Sequence, residues 1–366
     1  MARIGVNALY LIPGRVGGTE IYLRELIAAL ARIDQTNEYF VFTNLETGAD
    51  LVPRQRNFQW KPQAVHARFR PGRIVWEQTV LPLEASRYGL DVMFNPGFTA
   101  PLFAPGICVT VFHDLQHKRH PEHFRWFDLP FWRLLLWASA HRSRRLIAVS
   151  ESTRADLLRF YRIEPERITV IPHGVDPALF NLDRTGFGPY VLCVSTLHPH
   201  KNLDRLIRGY ALKQRDYRLV IVGLRGFYTR VLEELIADLG VDASVELTGW
   251  IPKDTLYLLY KRAQAFIYPS TFEGFGMPVL EAMAVGIPVA CSDIPPLREV
   301  GGDAVSYFDP LDDDTIAAAL ERIIADAPLR ERLAKAGPER ARGFTWEAAA
   351  MKTLEALGVA KTKIDS

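Results

Sequence analysis

Two glutamates, Glu273 and Glu281, stand with seven residues between them in "AFIYPSTFEGFGMPVLEAM". The run "AFIYPS" predicts a strand and "TFEGFG" a loop. Pro278 suits the start of the following helix, because its missing N–H needs no partner there. Gly274 and Gly276 let the backbone come close to a ligand, with N–H groups and the positive helix end pointing outward. This order of residues predicts a pocket for an anion.

The two glutamates have a structural and a functional interpretation. An acid in the first turn of a helix is stabilised by about 0.3–1 kcal/mol through the helix dipole, and this alone would explain Glu281. It does not explain the glycines, which cost backbone entropy without packing anything. A carboxylate accepts two hydrogen bonds and so suits the diol of a ribose or a hexose. The combination predicts a nucleotide sugar, with one acid on the ribose, the other on the sugar and the diphosphate at the helix tip.

Other chemically active residues also follow predicted strands. Lys201 comes after "YVLCVSTLHPH" and opens a helix, where a cation is disfavoured by about 0.3–1 kcal/mol, so we expect an anionic partner. The loop of Gly14, Gly17 and Gly18 after the first strand suits close approach to a phosphate. It lacks the Gly-x-Gly-x-x-Gly spacing, and a purely structural turn is an equally good interpretation.

Two histidines end predicted strands. His113 and Asp114 end "ICVTVFHD", where catalytic groups are expected in an α/β sheet. The alternative for His113 is a ring hydrogen-bonded to loop backbone. His173 and Gly174 follow "ITVIP" and either line a cleft or serve only as a hinge. His117 has no comparable support.

The elements that must position these residues come in two series of alternating strands and helices. Such a series is typical of a parallel sheet covered by helices on both faces. The first series fits a domain of residues 1–180. The run "GVDPALFNLDRTGFGPY" then breaks the pattern, and the second series fits residues 181–344. We expect a final helix at about 345–366 to pack back on the first domain. The predicted fold class is α/β, with two Rossmann-like doubly wound domains facing a cleft.

Taken together, these segments resemble the retaining glycosyltransferases of the GT-B fold, family four (group 1), over nearly the whole chain. Besides the paired glutamates, the matching segments are "IPGRVGGTEIYLREL", "VFHDL", "VSESTRADL", "VIPHGVD", "LHPHKN", "IVGLRG" and "LTGWIP". The resemblance implies catalytic roles for His113 on the transferred sugar, for Glu273 and for Lys201. It also implies that the Gly17 and Gly18 amides approach the donor diphosphate or the reacting centre.

The sequence departs from the family pattern at one cation. Many relatives carry an arginine five residues before the lysine, where this chain has Thr196. Arg225 or a protonated His200 could supply the second positive charge, and the sequence leaves this choice open. The donor-binding residues that the resemblance implies, besides the Gly17–Gly18 loop, are Thr196, Arg225, Trp250, Ile251, Gly274, Phe275, Gly276 and Glu281.

The predicted reaction is transfer of a hexosyl group from a nucleotide sugar to a glycan or lipid-linked acceptor, with retention, in cell-surface polysaccharide or glycoconjugate synthesis. The segment "WEQTVLP" resembles mannosyl-transferring relatives and favours GDP-mannose over UDP-glucose or UDP-N-acetylglucosamine. The alternatives are a sugar-nucleotide epimerase of the same fold and a non-catalytic sugar-nucleotide sensor. A sensor would keep Glu281 and Lys201 but need not keep His113.

We predict no metal and no cofactor beyond the donor. The acids Asp312, Asp313 and Asp314 resemble an Asp-x-Asp clamp for Mg²⁺. They directly precede the amphipathic run "TIAAALERIIADA", so we interpret them as a helix cap.

Composition limits the partners and the location. With 44 basic and 42 acidic residues, the net charge of +2 gives no electrostatic footprint for nucleic acid. Three cysteines without a Cys-x-x-Cys pair predict core thiols in a reducing compartment, and the absence of a spanning run or signal pattern favours the cytoplasm. The aromatic and basic stretch 124–145 is compatible with contact at the inner membrane surface, although an ordinary core helix is the favoured interpretation.

Overall fold

The computed structural model describes residues 1–14, 17–184, 186, 188–213 and 216–360. The chain divides into two compact units. The first contains residues 1–174 together with the chain from Trp346 onward, and the second contains Val175–Thr345. The predicted linker begins at Gly174, the last residue before the second unit, and continues into that unit.

The first unit contains a parallel sheet of seven strands within the described residues. Its strands are β1 (Arg3–Ala8), β2 (Glu38–Thr43), β3 (Phe58–Pro62), β4 (Val92–Asn95), β5 (Ile107–Phe112), β6 (Arg145–Ala148) and β7 (Ile168–Val170). The spatial order is β3-β2-β1-β4-β5-β6-β7, so the direction of winding reverses between β1 and β4. In a doubly wound sheet, ligands bind outside the carboxyl ends of the strands at such a reversal.

Helices cover this sheet. They are α1 (Gly18–Ile33), α2 (Arg70–Arg87), α3 (Gln116–Arg119), α4 (Leu129–Arg142) and α5 (Glu151–Asp156), the last continuing as a π-helical turn over Leu157–Tyr161. Two of these elements, β3 and α2, were not predicted from the sequence. β3 is an edge strand in which only Phe58 is fully buried, so it lacks the continuous apolar run of the inner strands.

The second unit repeats the doubly wound plan. Its strands are β8 (Tyr190–Val194), β9 (Arg218–Val222), β10 (Val245–Gly249), β11 (Ala265–Tyr268), β12 (Val289–Ser292) and β13 (Ser306–Phe308). They are parallel in the order β10-β9-β8-β11-β12-β13, so the winding reverses between β8 and β11. This reversal is the expected ligand position of the second unit.

The helices of the second unit are α6 (Leu203–Ala211), α7 (Thr229–Asp238), α8 (Lys253–Arg262), α9 (Met277–Val285), α10 (Pro295–Gly301), α11 (Asp313–Ala325) and α12 (Ala327–Ala341). The final helix, α13 (Trp346–Leu357), belongs to the first unit. There Trp346 is buried beside Tyr22 of α1, with 6.0 Å between the ring centroids. No helix in the described part of the chain is both long and apolar enough to cross a membrane.

The acidic run before α11 acts as a helix cap. Asp312 is the N-cap residue, and its side chain accepts a hydrogen bond from the Asp314 amide at 2.9 Å. Asp313 is paired with Arg205 of α6 at 2.9 Å. The capping role predicted from the sequence is therefore present in the structure.

Gly223 allows the loops after β8 and β9 to approach each other closely. A Cβ atom at Gly223 would lie 1.6 Å from the backbone oxygen of Ser195. The Ser195 amide donates to Val222 O, and the Gly223 amide to Gly249 O, so neither segment is free to move away. Side-chain atoms are thus excluded where these two loops meet.

We predict that Gly223→Ala destabilises the protein by about 1–3 kcal/mol. The added methyl group would clash with the Ser195 carbonyl oxygen, which hydrogen bonds hold in place. Gly226→Ala is the matched control, since its nearest neighbour would be Leu197 O at 3.7 Å. Thermal unfolding of both variants tests this, and equal melting temperatures would contradict the close approach.

Candidate functional site

An ion pair lies at the reversal point of the second sheet. Lys201 ends the short turn after β8, and Glu273 lies in the loop after β11. Lys201 Nζ and Glu273 Oε1 are 2.6 Å apart, with side chains only 13% and 10% exposed. The fold thus brings together two residues that were selected from separate motifs.

Tyr268 completes this group. It is the last residue of β11, and its hydroxyl lies 3.3 Å from Lys201 Nζ. Burial and the neighbouring Glu273 carboxylate raise the pKa of Tyr268, so the hydroxyl stays protonated. Tyr268 was not predicted from the sequence as a site residue. Its position at the end of a strand next to the reversal point is the signal that could have identified it.

The loops that carry Lys201 and Glu273 are joined by hydrogen bonds. Asn202 has a left-handed backbone (φ 59°), and its amide group donates to Pro269 O at 3.0 Å and Pro310 O at 2.7 Å. Ser270 and Thr271 both donate to His200 O, at 3.1 Å from each hydroxyl. The backbone on either side of the ion pair is therefore fixed by hydrogen bonds to buried or half-buried groups.

The Gly-Phe-Gly loop leads directly into α9. Gly276 is the N-cap residue with φ +111°, and a Cβ there would lie 2.5 Å from Leu297 Cδ2, so only glycine fits. The helix starts at Met277, one residue before the predicted Pro278. Phe275 is 5% exposed, and its ring packs edge-on against Phe344 at 6.0 Å. Its side chain therefore supports the loop.

Glu281 lies in the second turn of α9 and has a different environment from Glu273. The first-turn interpretation is wrong, because the first turn of α9 contains no acid. Tyr260 donates a hydrogen bond to Glu281 Oε2 at 2.8 Å. Burial raises the pKa of Glu281 to about 7, although the Tyr260 hydrogen bond and the charge of Lys253 oppose this rise. The carboxyl group therefore changes charge near neutral pH.

A second polar group adjoins Glu281. Asp176 Oδ2 accepts hydrogen bonds from Lys253 Nζ and from the Tyr257 hydroxyl, each at 2.6 Å. The charges of Lys253 and Asp176 both act on the Glu281 carboxyl group. Asp176 ends the segment "VIPHGVD" but was not predicted from the sequence as a site residue. Nothing local indicated that it meets α8.

The other predicted donor contacts lie in loops at the same sheet edge. Thr196 follows β8 and is exposed, and Trp250 follows β10 and is 62% exposed. Ile251, beside it, is half-buried. Arg225 follows β9, passes beside Gly249 and pairs at the surface with Glu233 at 3.1 Å.

His200 lies in the turn before Lys201. Its Nδ1 atom is 2.7 Å from Nδ1 of His198, so one of the two rings donates to the other. The His198 contact does not prevent protonation of His200, and Arg225 is exposed. Either residue could therefore supply the second positive charge.

In the first unit, His113 is enclosed by other rings. Its Nε2 atom donates to Pro96 O at 2.8 Å in the neutral tautomer that this contact requires. Ring centroids of Tyr22, Phe98 and His173 lie 4.8, 5.2 and 5.7 Å away. Burial lowers the pKa of His113 to about 4, so the ring is neutral at physiological pH. The Pro96 contact is the hydrogen bond to loop backbone that the alternative interpretation of His113 predicted. The contact of His113 with the transferred sugar stays a prediction.

The residues after His113 have local structural contacts. Asp114 Oδ1 accepts from the Gln116 amide at 2.9 Å. His117 Nε2 lies 2.6 Å from the Tyr161 hydroxyl, and burial lowers the pKa of His117 to about 3. Both contacts serve to order the segment around α3.

The glycine loop after β1 reaches the reversal point of the first sheet. Gly14 and Gly17 have φ +71° and +58°, and a Cβ at either position would meet no atom within 4 Å. The Gly14 amide donates to Glu20 Oε2 at 2.7 Å, and Gly18 opens α1. Open space beside positive-φ glycines fits a ligand-facing loop. Arg15 and Val16 lie outside the described residues.

One surface cluster has ligand atoms spaced for a metal ion. His120, Glu122 and His123 offer atoms within 4.8 Å of one another, with His120 Nδ1 3.0 Å from Glu122 Oε1. Glu122 is exposed and the two rings are half-buried. The cluster lies between α3 and α4.

Comparison with known proteins identifies the family. Residues 16–179 match the model "Glycosyltransferase Family 4", and residues 181–340 match "Glycosyl transferases group 1". O-antigen chain mannosyltransferase B of Escherichia coli is 31% identical over 263 residues, which cover 68% of this chain and 69% of that protein.

Two solved structures show the same fold. Sucrose-phosphate synthase from Thermosynechococcus elongatus superposes with a TM-score of 0.81 at 22% identity, covering 97% of this chain and 98% of that one. Anabaena HepE, solved in complex with UDP-glucose, superposes with a TM-score of 0.78 at 20% identity, covering 98% and 100%. The chain therefore belongs to glycosyltransferase family 4 and is a glycosyltransferase with two Rossmann-like domains of the GT-B type.

Proposed function

We propose that the protein transfers a mannosyl group from GDP-mannose to a glycan or lipid-linked acceptor, with retention of anomeric configuration. The observation that carries this proposal is the Lys201–Glu273 pair at the reversal point of the second sheet. The mannose donor is supported by the relative named as an O-antigen chain mannosyltransferase. A nucleotide-sugar donor is supported by the UDP-glucose complex of HepE.

The pair explains how the leaving group would be stabilised. Departure of a nucleoside diphosphate places negative charge on the β-phosphate, and preorganised cations and amides stabilise such charge most. Lys201 would supply the cation, and the amides around Gly274 and Gly276 with the start of α9 would supply the dipoles. When the donor enters, Lys201 would shift its charge towards the phosphate, and sugar hydroxyls would donate to Glu273 in exchange.

The remaining residues of the site would hold the donor. Glu281 would accept two hydrogen bonds from the ribose diol, for which it must be ionised. With Lys201, the helix end and a second cation on the diphosphate, Mg²⁺ would be redundant, so we propose a metal-independent reaction. We assign no side chain as a covalent nucleophile, and the acceptor would attack from the face that the diphosphate leaves.

We propose a cytoplasmic location with peripheral contact at the inner membrane surface. Trp126, Phe127 and Phe131, in and before α4, are 83%, 56% and 55% exposed, and Arg125 lies beside them with its guanidinium 6.0 Å from the Phe127 ring centroid. Exposed aromatic rings next to arginine are typical of a surface that lies at a lipid interface.

The reaction itself tests the proposal. Incubation with GDP-mannose and a mannose-terminated glycan should release GDP and give an α-linked product by NMR, at the same rate in excess EDTA. UDP-glucose should replace GDP-mannose poorly. Release of a free altered sugar without any acceptor would indicate an epimerase, and loss of activity in EDTA with recovery in Mg²⁺ would contradict the metal-independent mechanism.

We predict that Lys201→Ala lowers turnover by about 10²–10³-fold, the loss typical of one preorganised donor at a developing anion. Lys213→Ala is the control, because Lys213 makes an exposed ion pair with Glu321. Initial rates with saturating GDP-mannose measure both. Turnover of the Lys201 variant within threefold of wild type would show that the helix end and another cation suffice.

The raised pKa of Glu281 predicts a pH-dependent donor affinity. Above pH 7 the carboxylate accepts the ribose hydroxyls, and below pH 7 it gains a proton and loses that capacity. The Michaelis constant for GDP-mannose should therefore rise about tenfold from pH 8 to pH 6, as for a single group titrating near 7. In Glu281→Gln the constant should be high at both pH values. An unchanged pH profile in that variant would remove Glu281 from the donor site.

A further inference from the structure

Arg73 is a buried cation that makes no side-chain hydrogen bond or close ion pair within the described residues. Its charge acts at longer range on the buried Glu77 carboxyl group, where it opposes the rise in pKa that burial causes. Arg73 lies in the first turn of α2 and is 6% exposed. Among the described residues, no side-chain hydrogen bond of Arg73 occurs, and no carboxylate oxygen lies within 4 Å of its nitrogens. Removing a charge from water without a partner costs several kcal/mol. The buried Arg73 charge therefore lowers the stability of the fold. An anionic ligand that binds Arg73 would offset this cost.

The face of α2 that carries Arg73 is fixed over the reversal point of the first sheet. One turn further along this face, Glu77 Oε2 accepts from the Thr99 hydroxyl at 2.9 Å, in the loop after β4. The neighbouring Gln78 donates to Ala100 O at 2.9 Å in the same loop. Arg73 therefore lies near the carboxyl ends of β1 and β4, where a doubly wound sheet binds its ligand.

Tyr10 and Gly97 pack against each other near Arg73. The Tyr10 ring covers Gly97 so closely that a Cβ there would lie 2.2 Å from the ring. Burial raises the pKa of Tyr10, and the positive charge of Arg73 acts on its hydroxyl in the opposite direction. The Tyr10 hydroxyl donates to Thr19 O at 3.3 Å, in the first turn of α1. Arg73 thus lies beside the loop that the sequence analysis selected for phosphate.

A second arginine extends the site towards α4. Arg70, the first residue of α2, has its guanidinium 4.0 Å from the centroid of the Trp132 ring. Two arginines in the first turn oppose the helix dipole, so an anion at this end would stabilise both. Phe69, which precedes them, is 65% exposed and provides no side-chain cap.

We propose that Arg73, assisted by Arg70, binds a phosphate group of the acceptor substrate. This inference rests on the proposed glycosyl transfer, because it assigns the ligand of the first unit as the acceptor. The planar guanidinium donates two parallel hydrogen bonds to a phosphate, and two arginines match its charge. A phosphate of this kind occurs in a lipid-linked acceptor or in a soluble sugar phosphate. The exposed rings of Trp126, Phe127 and Phe131, in and before α4, favour an alkyl chain beside it.

Binding to the full-length protein tests the site. GDP at saturating concentration first fills the diphosphate position of the second unit. Hexyl phosphate and mannose 1-phosphate are then titrated separately, and the melting temperature is recorded. In wild-type protein at least one of them should raise the melting temperature, and in Arg73→Gln the affinity for it should fall tenfold or more. Stronger binding of hexyl phosphate assigns a lipid-linked acceptor, and stronger binding of mannose 1-phosphate assigns a soluble one.

A matched control and a second measurement separate binding from folding. Arg87→Gln, on the last turn of α2, changes an exposed arginine and should leave both affinities unchanged. Without ligand, the melting temperature of Arg73→Gln measures the cost of leaving the buried Glu77 carboxyl group without the Arg73 charge. Equal phosphate binding in wild type and variant would overturn the proposal. If GDP raises the melting temperature of Arg73→Gln as much as that of wild type, the donor site of the variant is intact. If GDP does not raise the melting temperature of wild type, the proposed function is contradicted instead.

Discussion

The candidate site of the second unit depends on one nearly buried ion pair. A pair such as Lys201–Glu273 gives little net stability, because the cost of removing two charges from water offsets most of their attraction. Well-packed apolar residues could fill the same space without that cost. The surrounding hydrogen bonds from Asn202, Ser270 and Thr271 hold the loops in register, so that the two charges meet at 2.6 Å. The arrangement is that of a preorganised polar environment, which serves a reaction better than it serves folding.

Glu273 and Glu281, which are similar in sequence context, have different partners in the structure. Glu273 faces a lysine, whereas Glu281 faces the Tyr260 hydroxyl and is buried enough that its pKa rises to about 7. Environment, rather than residue type, thus separates two carboxyl groups on one loop and helix. A similar contrast holds among the arginines of α2: Arg73 is buried, whereas Arg87 makes an exposed contact with Glu84. In each case the difference arises from which element packs over the side chain.

The sequence was sufficient for features that depend on nearby residues. Strand-end positions identified Lys201 and Glu273, the period of apolar runs identified both sheets, and a run of acids before an amphipathic helix identified the Asp312 cap. Features that depend on distant segments were missed. The contact of Asp176 with α8 and that of Tyr268 with Lys201 join segments 67 or more residues apart. The edge strand β3 was missed because its pattern is weak when only one residue is fully buried.

The return of α13 to the first unit has a consequence for how the chain is made. The core around Tyr22 needs Trp346, so the first unit cannot close its apolar interior when its own 174 N-terminal residues have emerged from the ribosome. All of Val175–Thr345 must be synthesised in between. During that interval the surface that α13 will cover, including Tyr22 of α1, is open to water, to chaperones and to other nascent chains. Folding of the second unit can finish first, although it is encoded later.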